Sequence, residues 1–194
     1  MKNLLKRSLL IVVVATSITS QAMINEPSIK VDEINEKLVL LTLKNYDEPV
    51  DVYVKDSYGV VLHRENINNI EFTKKFDLTT LPNGNYFFEV DSPTKLKIIP
   101  FNVEYHVVKF DNEIIQHKPV VRIKDDSVFI SKLALEKESM DIKLYDSGTH
   151  LLYKEELKGD MNLGRKLNIS KLDKGTYTLV MTTNGRTFKE MIVK

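Results

Sequence analysis

Four histidines, His63, His106, His117 and His150, two of the serines that follow aspartates, Ser57 and Ser147, and two adjacent acid pairs, Asp125-Asp126 and Glu155-Glu156, are the groups best suited to chemistry in a chain of 194 residues that has no cysteine. Zinc would need His or Cys ligands at short fixed spacings. The histidines are scattered, and no thiolate is present to complete a set. The Gly-x-Ser-x-Gly elbow that exposes a hydrolase serine surrounds neither Ser57 nor Ser147. Serine between an Asp and a nearby Gly reads instead as a turn residue. A two-carboxylate hydrolase places both acids on one site, whereas neighbours along a strand point to opposite faces. Asp125-Asp126-Ser127 lacks the EF-hand spacing for calcium and reads as a solvated turn. Phosphate-cradling and dinucleotide-binding glycine motifs are absent. The inventory points away from an enzyme, so no catalytic residue, metal or cofactor is expected.

The compartment is written at the N-terminus. Lys2, Lys6 and Arg7 precede the apolar stretch Leu9–Ala15, and Ser20-Gln21-Ala22 supplies small residues at a cleavage position. This is the pattern of a secretory leader at residues 1–22, cut between Ala22 and Met23. Crossing a bilayer takes about 20 apolar residues, and Thr16, Ser17, Thr19 and Ser20 interrupt the run too early. No stable membrane span is therefore expected. The sequence carries 28 Lys and Arg against 27 Asp and Glu, and the leader accounts for three of the basic ones. A nearly neutral mature chain does not suit nucleic acid, which calls for many phosphate-neutralising cations. Export without disulfides leaves stability to the core alone and leans towards a bacterial envelope, with the protein periplasmic, secreted or on the cell surface.

The elements that would position any site come in two copies. VDVYVKDSYG at Val50–Gly59 answers MDIKLYDSG at Met140–Gly148, with Asp56 and Asp146 90 residues apart. KKFDLTTLPNGNYFFEV at Lys74–Val90 answers RKLNISKLDKGTYTLVM at Arg165–Met181, with Tyr86 and Tyr177 91 apart. PSIKV at Pro27 answers PVVRI at Pro119, 92 apart. Three blocks in one order and at one spacing mark a duplication. Apolar residues alternate at Val50, Val52, Val54 and at Met140, Ile142, Leu144, and again from Tyr86 to Val90 and Tyr177 to Met181. That is the period-2 pattern of half-buried strands. NEKLVLLTL and SVFISKLAL read as a further strand pair, and Asn184-Gly185 as a type I′ hairpin turn. The expected fold is all-β: two tandem immunoglobulin-like (fibronectin-III-like) antiparallel sandwiches, at 23–115 and 116–194. The junction falls near Asp111–Lys118, with no Gly/Ser-rich linker. Pro100 predicts a bend or an edge, and the extra length of KLKIIPFNVEYHVVKF predicts a last strand that runs on towards the second sandwich.

LTTLPNGNY and ISKLDKGTY each suggest a corner. Leu81 and Leu172 would plug the open end of the core, and Gly84 and Gly175 would permit the turn. Tyr86 and Tyr177 would bond back across it, as a tyrosine near the start of a late strand does in such sandwiches. Sugar binding is the other familiar use of an exported sandwich. Tyr53, Tyr58, Tyr105, Tyr145 and Tyr153 are the candidate rings, but tryptophan is absent and no contiguous aromatic stripe is visible.

Asp146-Ser147-Gly148, Leu172 to Tyr177, Asn184-Gly185 and the closing FKEMIVK together give domain two a family likeness. It resembles the C-terminal sorting domain of the type IX secretion system of Bacteroidetes, and domain one resembles it more weakly. The resemblance implies an immunoglobulin-like fold and recognition by the secretion machinery. The leading expectation is a non-enzymatic exported protein acting by protein–protein interaction, with a partner in the envelope or the secretion machinery. The alternatives are that domain two is a sorting signal, or that the chain is a carbohydrate-binding module.

Overall fold

A computed structural model describes residues 28–194 apart from Glu36 and Ile70. The leader at 1–22, its Ala22–Met23 cleavage site and Pro27 lie outside the described residues. Within these, the secondary structure is β-strand and turn.

Two sheets make the first sandwich. β1 (Ser28–Asn35), β2 (Leu38–Lys44) and β5 (Glu71–Asp77) pair in the order β1-β2-β5. Facing them, β4 (Val61–Ile67), β3 (Val50–Asp56), β6 (Gly84–Asp91) and β7 (Lys95–Glu104) pair in the order β4-β3-β6-β7. The second sandwich repeats the scheme. Its three-stranded sheet is β10 (Val120–Lys124), β11 (Ser127–Leu133) and β14 (Asn162–Asn168). Its four-stranded sheet is β13 (Leu151–Leu157), β12 (Met140–Tyr145), β15 (Thr176–Thr183) and β16 (Arg186–Val193). Every one of these pairings is antiparallel. Three strands over four, with the third and sixth strands paired at the centre of the larger sheet, make each unit a fibronectin-III-like sandwich of the immunoglobulin class.

The alternation explains why these segments are strands. β3 buries Val50, Val52 and Val54, and β12 buries Met140, Ile142 and Leu144. β6 and β15 bury Tyr86, Phe88, Val90 and Tyr177, Leu179, Met181 on the same inward face. Each fully buried aliphatic or aromatic side chain contributes about 1.5–3 kcal/mol. The two cores are separate clusters, one around Phe88 and Phe101 and one around Met140 and Leu179.

Two expectations are corrected. Pro100 neither ends nor edges its strand: β7 runs through it, paired with β6 by Phe87↔Pro100. What breaks is the strand on the other side. β8 (Val107–Phe110) covers Phe101–Glu104 and β9 (Ile114–His117) covers Lys95–Ile98. Between them Asp111 donates its N–H to the Pro100 carbonyl at 3.0 Å. Proline has no N–H to offer, so the partner ladder is interrupted opposite it. The extra length after β7 likewise does not run on. It reverses at Tyr105-His106, with Tyr105 at φ 36°, and folds back along β7. Only Lys118-Pro119 separates β9 from β10.

Turn chemistry follows the sequence closely, with one exchange. Asn184 (φ 50°) and Gly185 (φ 70°) form the left-handed pair between β15 and β16. In DSYG the left-handed position is Gly59 (φ 83°), whereas in DSGT it is Thr149 (φ 65°), one residue after the glycine. Asp125-Asp126 is the two-residue turn between β10 and β11.

Candidate functional site

The two LxxGxY segments adopt one geometry. The Tyr86 hydroxyl donates to the Pro82 carbonyl at 3.0 Å, and the Tyr177 hydroxyl donates to the Asp173 carbonyl at 2.8 Å. Leu81 N–H donates to Leu78 O, and Leu172 N–H to Ile169 O. Leu81 and Leu172 are half-buried and each packs against its own core. Gly84 opens β6, while Gly175 exchanges two backbone hydrogen bonds with Lys194. Ahead of each corner lies an Asx turn: the Asp77 carboxylate accepts from Thr79 N–H, and the Asn168 amide oxygen accepts from Ser170 N–H. The sequence reading missed this pair, although the spacing of Asp or Asn to a following N–H two residues on is its signal.

Where the copies differ, domain two gains polar ties at its end. Lys194 Nζ donates to the Ser170 carbonyl at 2.6 Å and to the Leu172 carbonyl. Register alignment through Tyr86↔Phe101 and Tyr177↔Ile192 puts Val103 at the corresponding place in the first copy, and Val103 is fully buried in the core.

A buried charge cluster joins the copies. Strand parity turns Glu89 away from the core that Phe88 and Val90 enter, yet its side chain is only 3% exposed. Its carboxylate accepts from Lys55 Nζ at 2.6 Å and from the Arg186 guanidinium, across the junction, at 2.6 Å. Burial alone would raise the Glu89 carboxyl, but hydrogen bonds from Arg186 and Lys55 and their positive charges outweigh it and hold it below its ordinary value. Leu96, opposite Asp91 in register and so on the Glu89 side, is 2% exposed and belongs to neither core cluster. Lys118, in the connection between β9 and β10, pairs with Asp91. His117 is pushed down by burial and then by the charges of Lys95 and Lys132, one from each sandwich. Lys132 is itself fully covered and paired with Glu138. A cleft of about 410 Å³ opens here between Thr94, Lys95 and His117 on one side and Ser131, Lys132 and Leu163 on the other. No sequence signal marks the Glu89 cluster, because its partners lie 34 and 97 residues away and Glu89 occupies a position that alternation assigns to the solvent face.

The candidate chemical groups are dispersed. His63 lies on β4 with its ring edge-on to Phe76, His106 in the β7–β8 turn, His117 at the junction, and His150 in a turn where its Nδ1 lies 2.9 Å from Asp146. Ser57 and Ser147 sit in the β3–β4 and β12–β13 turns. Glu155 pairs with Arg165 and accepts from the Tyr153 hydroxyl. Among the described residues no three His, Asp or Glu side chains are grouped to hold a metal ion. A second cleft, of about 550 Å³, lies at one end of the first sandwich beside Tyr46, Lys97 and Glu113. Burial, helped by the Glu113 charge, raises the Tyr46 phenol to about 12. Of the candidate sugar-binding rings, Tyr58 and Tyr105 are 92% and 80% exposed at turns of the first sandwich. Tyr53 instead lies beneath Lys55 and Arg64.

Solved structures similar to this chain include a biofilm-associated protein BSP domain, at 16% identity and TM-score 0.29 over 87% of this chain and 29% of that one. The chicken CNTN1 FN1-FN3 domains match at 12% identity and TM-score 0.29, over 82% of this chain and 62% of theirs. The human OSCAR ligand-binding domain matches at 13% identity and TM-score 0.26, over 87% and 97%. The chain thus spans less than two thirds of the first two, and the architecture stands on its own strand order and not on these scores. No curated protein sequence matches. The model of one family, described as "Secretion system C-terminal sorting domain", matches residues 18–100 and again residues 124–194, one match for each sandwich. The chain belongs to the secretion system C-terminal sorting domain family.

Proposed function

We propose that this chain is an exported, non-enzymatic protein whose second sandwich is a sorting signal read, by protein contact, by the type IX secretion machinery. The leader at residues 1–22 starts it on that route and is removed after Ala22. The observation that carries the reading is the family match, which covers both copies, and the second is chosen for the polar ties of Lys194 and the basic-apolar strand β16. The corners at Leu81, Gly84 and Tyr86 and at Leu172, Gly175 and Tyr177 are structural in this account, since each tyrosine bonds only its own loop. A second reading, a tandem sandwich that stays in the envelope and works there by protein–protein interaction, is favoured by the Glu89–Arg186 pair, which ties the copies into one unit.

Mass spectrometry of the protein recovered from cell fractions separates the two. A C-terminally trimmed chain at the surface or in the medium supports the sorting role. An intact Lys194 confined to the periplasm overturns it and leaves the envelope reading.

A further inference from the structure

The duplication allows one edge to be compared with itself. In the first sandwich the outer edge of β7 is covered on both sides of Ile99-Pro100, by β8 at Phe101–Glu104 and by β9 at Lys95–Ile98. In the second sandwich the corresponding strand, β16, pairs with β15 from Arg186 to Val193, and no described residue pairs with its other edge. Antiparallel ladders alternate between pairs that exchange hydrogen bonds and pairs that do not. Gly175 and Lys194 exchange both bonds, so Ile192, Glu190 and Phe188 also bond inward to β15. Thr187, Lys189, Met191 and Val193 therefore aim their N–H and C=O groups at the free edge. The usual protections of an edge are proline, a bulge, a short strand or charged side chains, and of these β16 carries the last, at Lys189. β16 has eight residues, no proline and no register shift. The side chains of the outward-bonding residues share the outer face, where Met191 and Val193 are 75% and 73% exposed beside Lys189.

We propose that the free edge of β16 is a docking site for an extended strand of a partner protein, added antiparallel as β9 adds to β7. The partner strand presents apolar side chains opposite Val193 and Met191 and an acidic one opposite Lys189. Main-chain bonds supply the affinity, and the alternate side chains supply the choice of partner. A second copy of this chain is a poor occupant. A two-fold antiparallel self-pair centred on the middle of β16 sets Lys189 against Lys189 or Glu190 against Glu190, and like charges directly opposite destabilise a sheet. The inference rests on the sorting reading for the identity of the partner, but not for the existence of the site.

The test uses the full chain and a synthetic acetylated seven-residue peptide with Val and Ile placed to face Val193 and Met191 and Glu to face Lys189. A second peptide of the same sequence is N-methylated at the amides that would face β16. Saturable binding of the first peptide, weakened at least about tenfold by methylation, is the expected result, since each lost main-chain bond is worth about 1 kcal/mol. Met191→Pro removes an outward N–H and leaves the bonds to β15 in place, so it should lose binding while its thermal melt stays close to the parent's. If that variant fails to fold, the methylated peptide still decides. Equal binding of both peptides, no binding of either, or concentration-dependent dimerisation through β16 would overturn the proposal. Should the peptide bind while Met191→Pro is exported normally, the edge exists and its role in sorting fails. Loss of both binding and export supports the two together.

Discussion

Replacing Glu89 with Gln keeps the shape of the side chain and removes its charge. The native carboxylate is 3% exposed and accepts from Lys55 and Arg186, each at 2.6 Å. A hydrogen bond to a charged group contributes about 1.5–3 kcal/mol, and stranding one member of a buried ion pair costs about 3–5 kcal/mol. Lys55 is 15% exposed and takes a value near the middle of the first range, about 2 kcal/mol. Arg186 is 37% exposed, so screening reduces its share to about 1 kcal/mol. Glu89→Gln should therefore cost about 2–3 kcal/mol, because the amide oxygen still accepts one bond. Arg186→Gln should cost about 1 kcal/mol, and the double-mutant cycle should return a coupling of about 1 kcal/mol that shrinks in high salt. Two linked domains need not unfold in one step, so urea unfolding is best followed by hydrogen exchange read in each sandwich separately. The single substitution in the first sandwich should then lower protection in the β15–β16 hairpin of the second. A coupling of zero, or a loss confined to the first sandwich, would refute the claim that this pair joins the copies.

The remaining predictions are more local. Tyr86→Phe and Tyr177→Phe should each lower stability by about 1 kcal/mol, and more if the Pro82 or Asp173 carbonyl is left dry; unchanged melting temperatures would remove the corner bond from the account. Thr149→Gly relieves a β-branched residue at φ 65° and should gain about 0.5–1 kcal/mol in urea unfolding, the left-handed penalty less the entropy cost of glycine; a loss would mean that the turn is held differently. The carboxyls of Glu65, Glu89 and Glu138 are all held below their ordinary value. For Glu65 the hydrogen bond from Lys74 acts most strongly, while for Glu89 and Glu138 burial pushes upward and is outweighed by hydrogen bonds and neighbouring cations. Their stabilisation is complete above the unfolded carboxyl value of about 4.3 and is lost as pH falls through the lower folded values. Acid unfolding should therefore steepen below about pH 4, and Glu89→Gln should flatten that limb.

Much of the fold was legible because its determinants are local and written twice. Alternation at Val50–Val54 and Met140–Leu144 identifies the central strands, and Asn184-Gly185 identifies the last hairpin. The duplication then gives strand order a second witness. Pro100 misled because the rule that proline avoids central strands concerns a missing donor, and here the cost falls on the covering strand, which splits into β8 and β9. The DSG stretch read correctly as a turn, but which of its residues is left-handed, Thr149, is not written in residue type. The Glu89 cluster was invisible because alternation reports only which face a residue takes, and not whether another sandwich covers that face. The open edge of β16 was half visible: its basic-apolar composition could be read, but its lack of a partner emerges only beside the covered edge of β7.

The central proposal is that the two copies share their mechanics and that, although the family model matches both, the second carries the sorting information. An exported reporter fused ahead of residues 119–194, and the same reporter fused ahead of residues 28–118, measure this directly in a host with the type IX system. The account predicts that the first fusion reaches the surface or the medium and that the second stays in the periplasm. Retention of both fusions in the periplasm, or release of both, would contradict it.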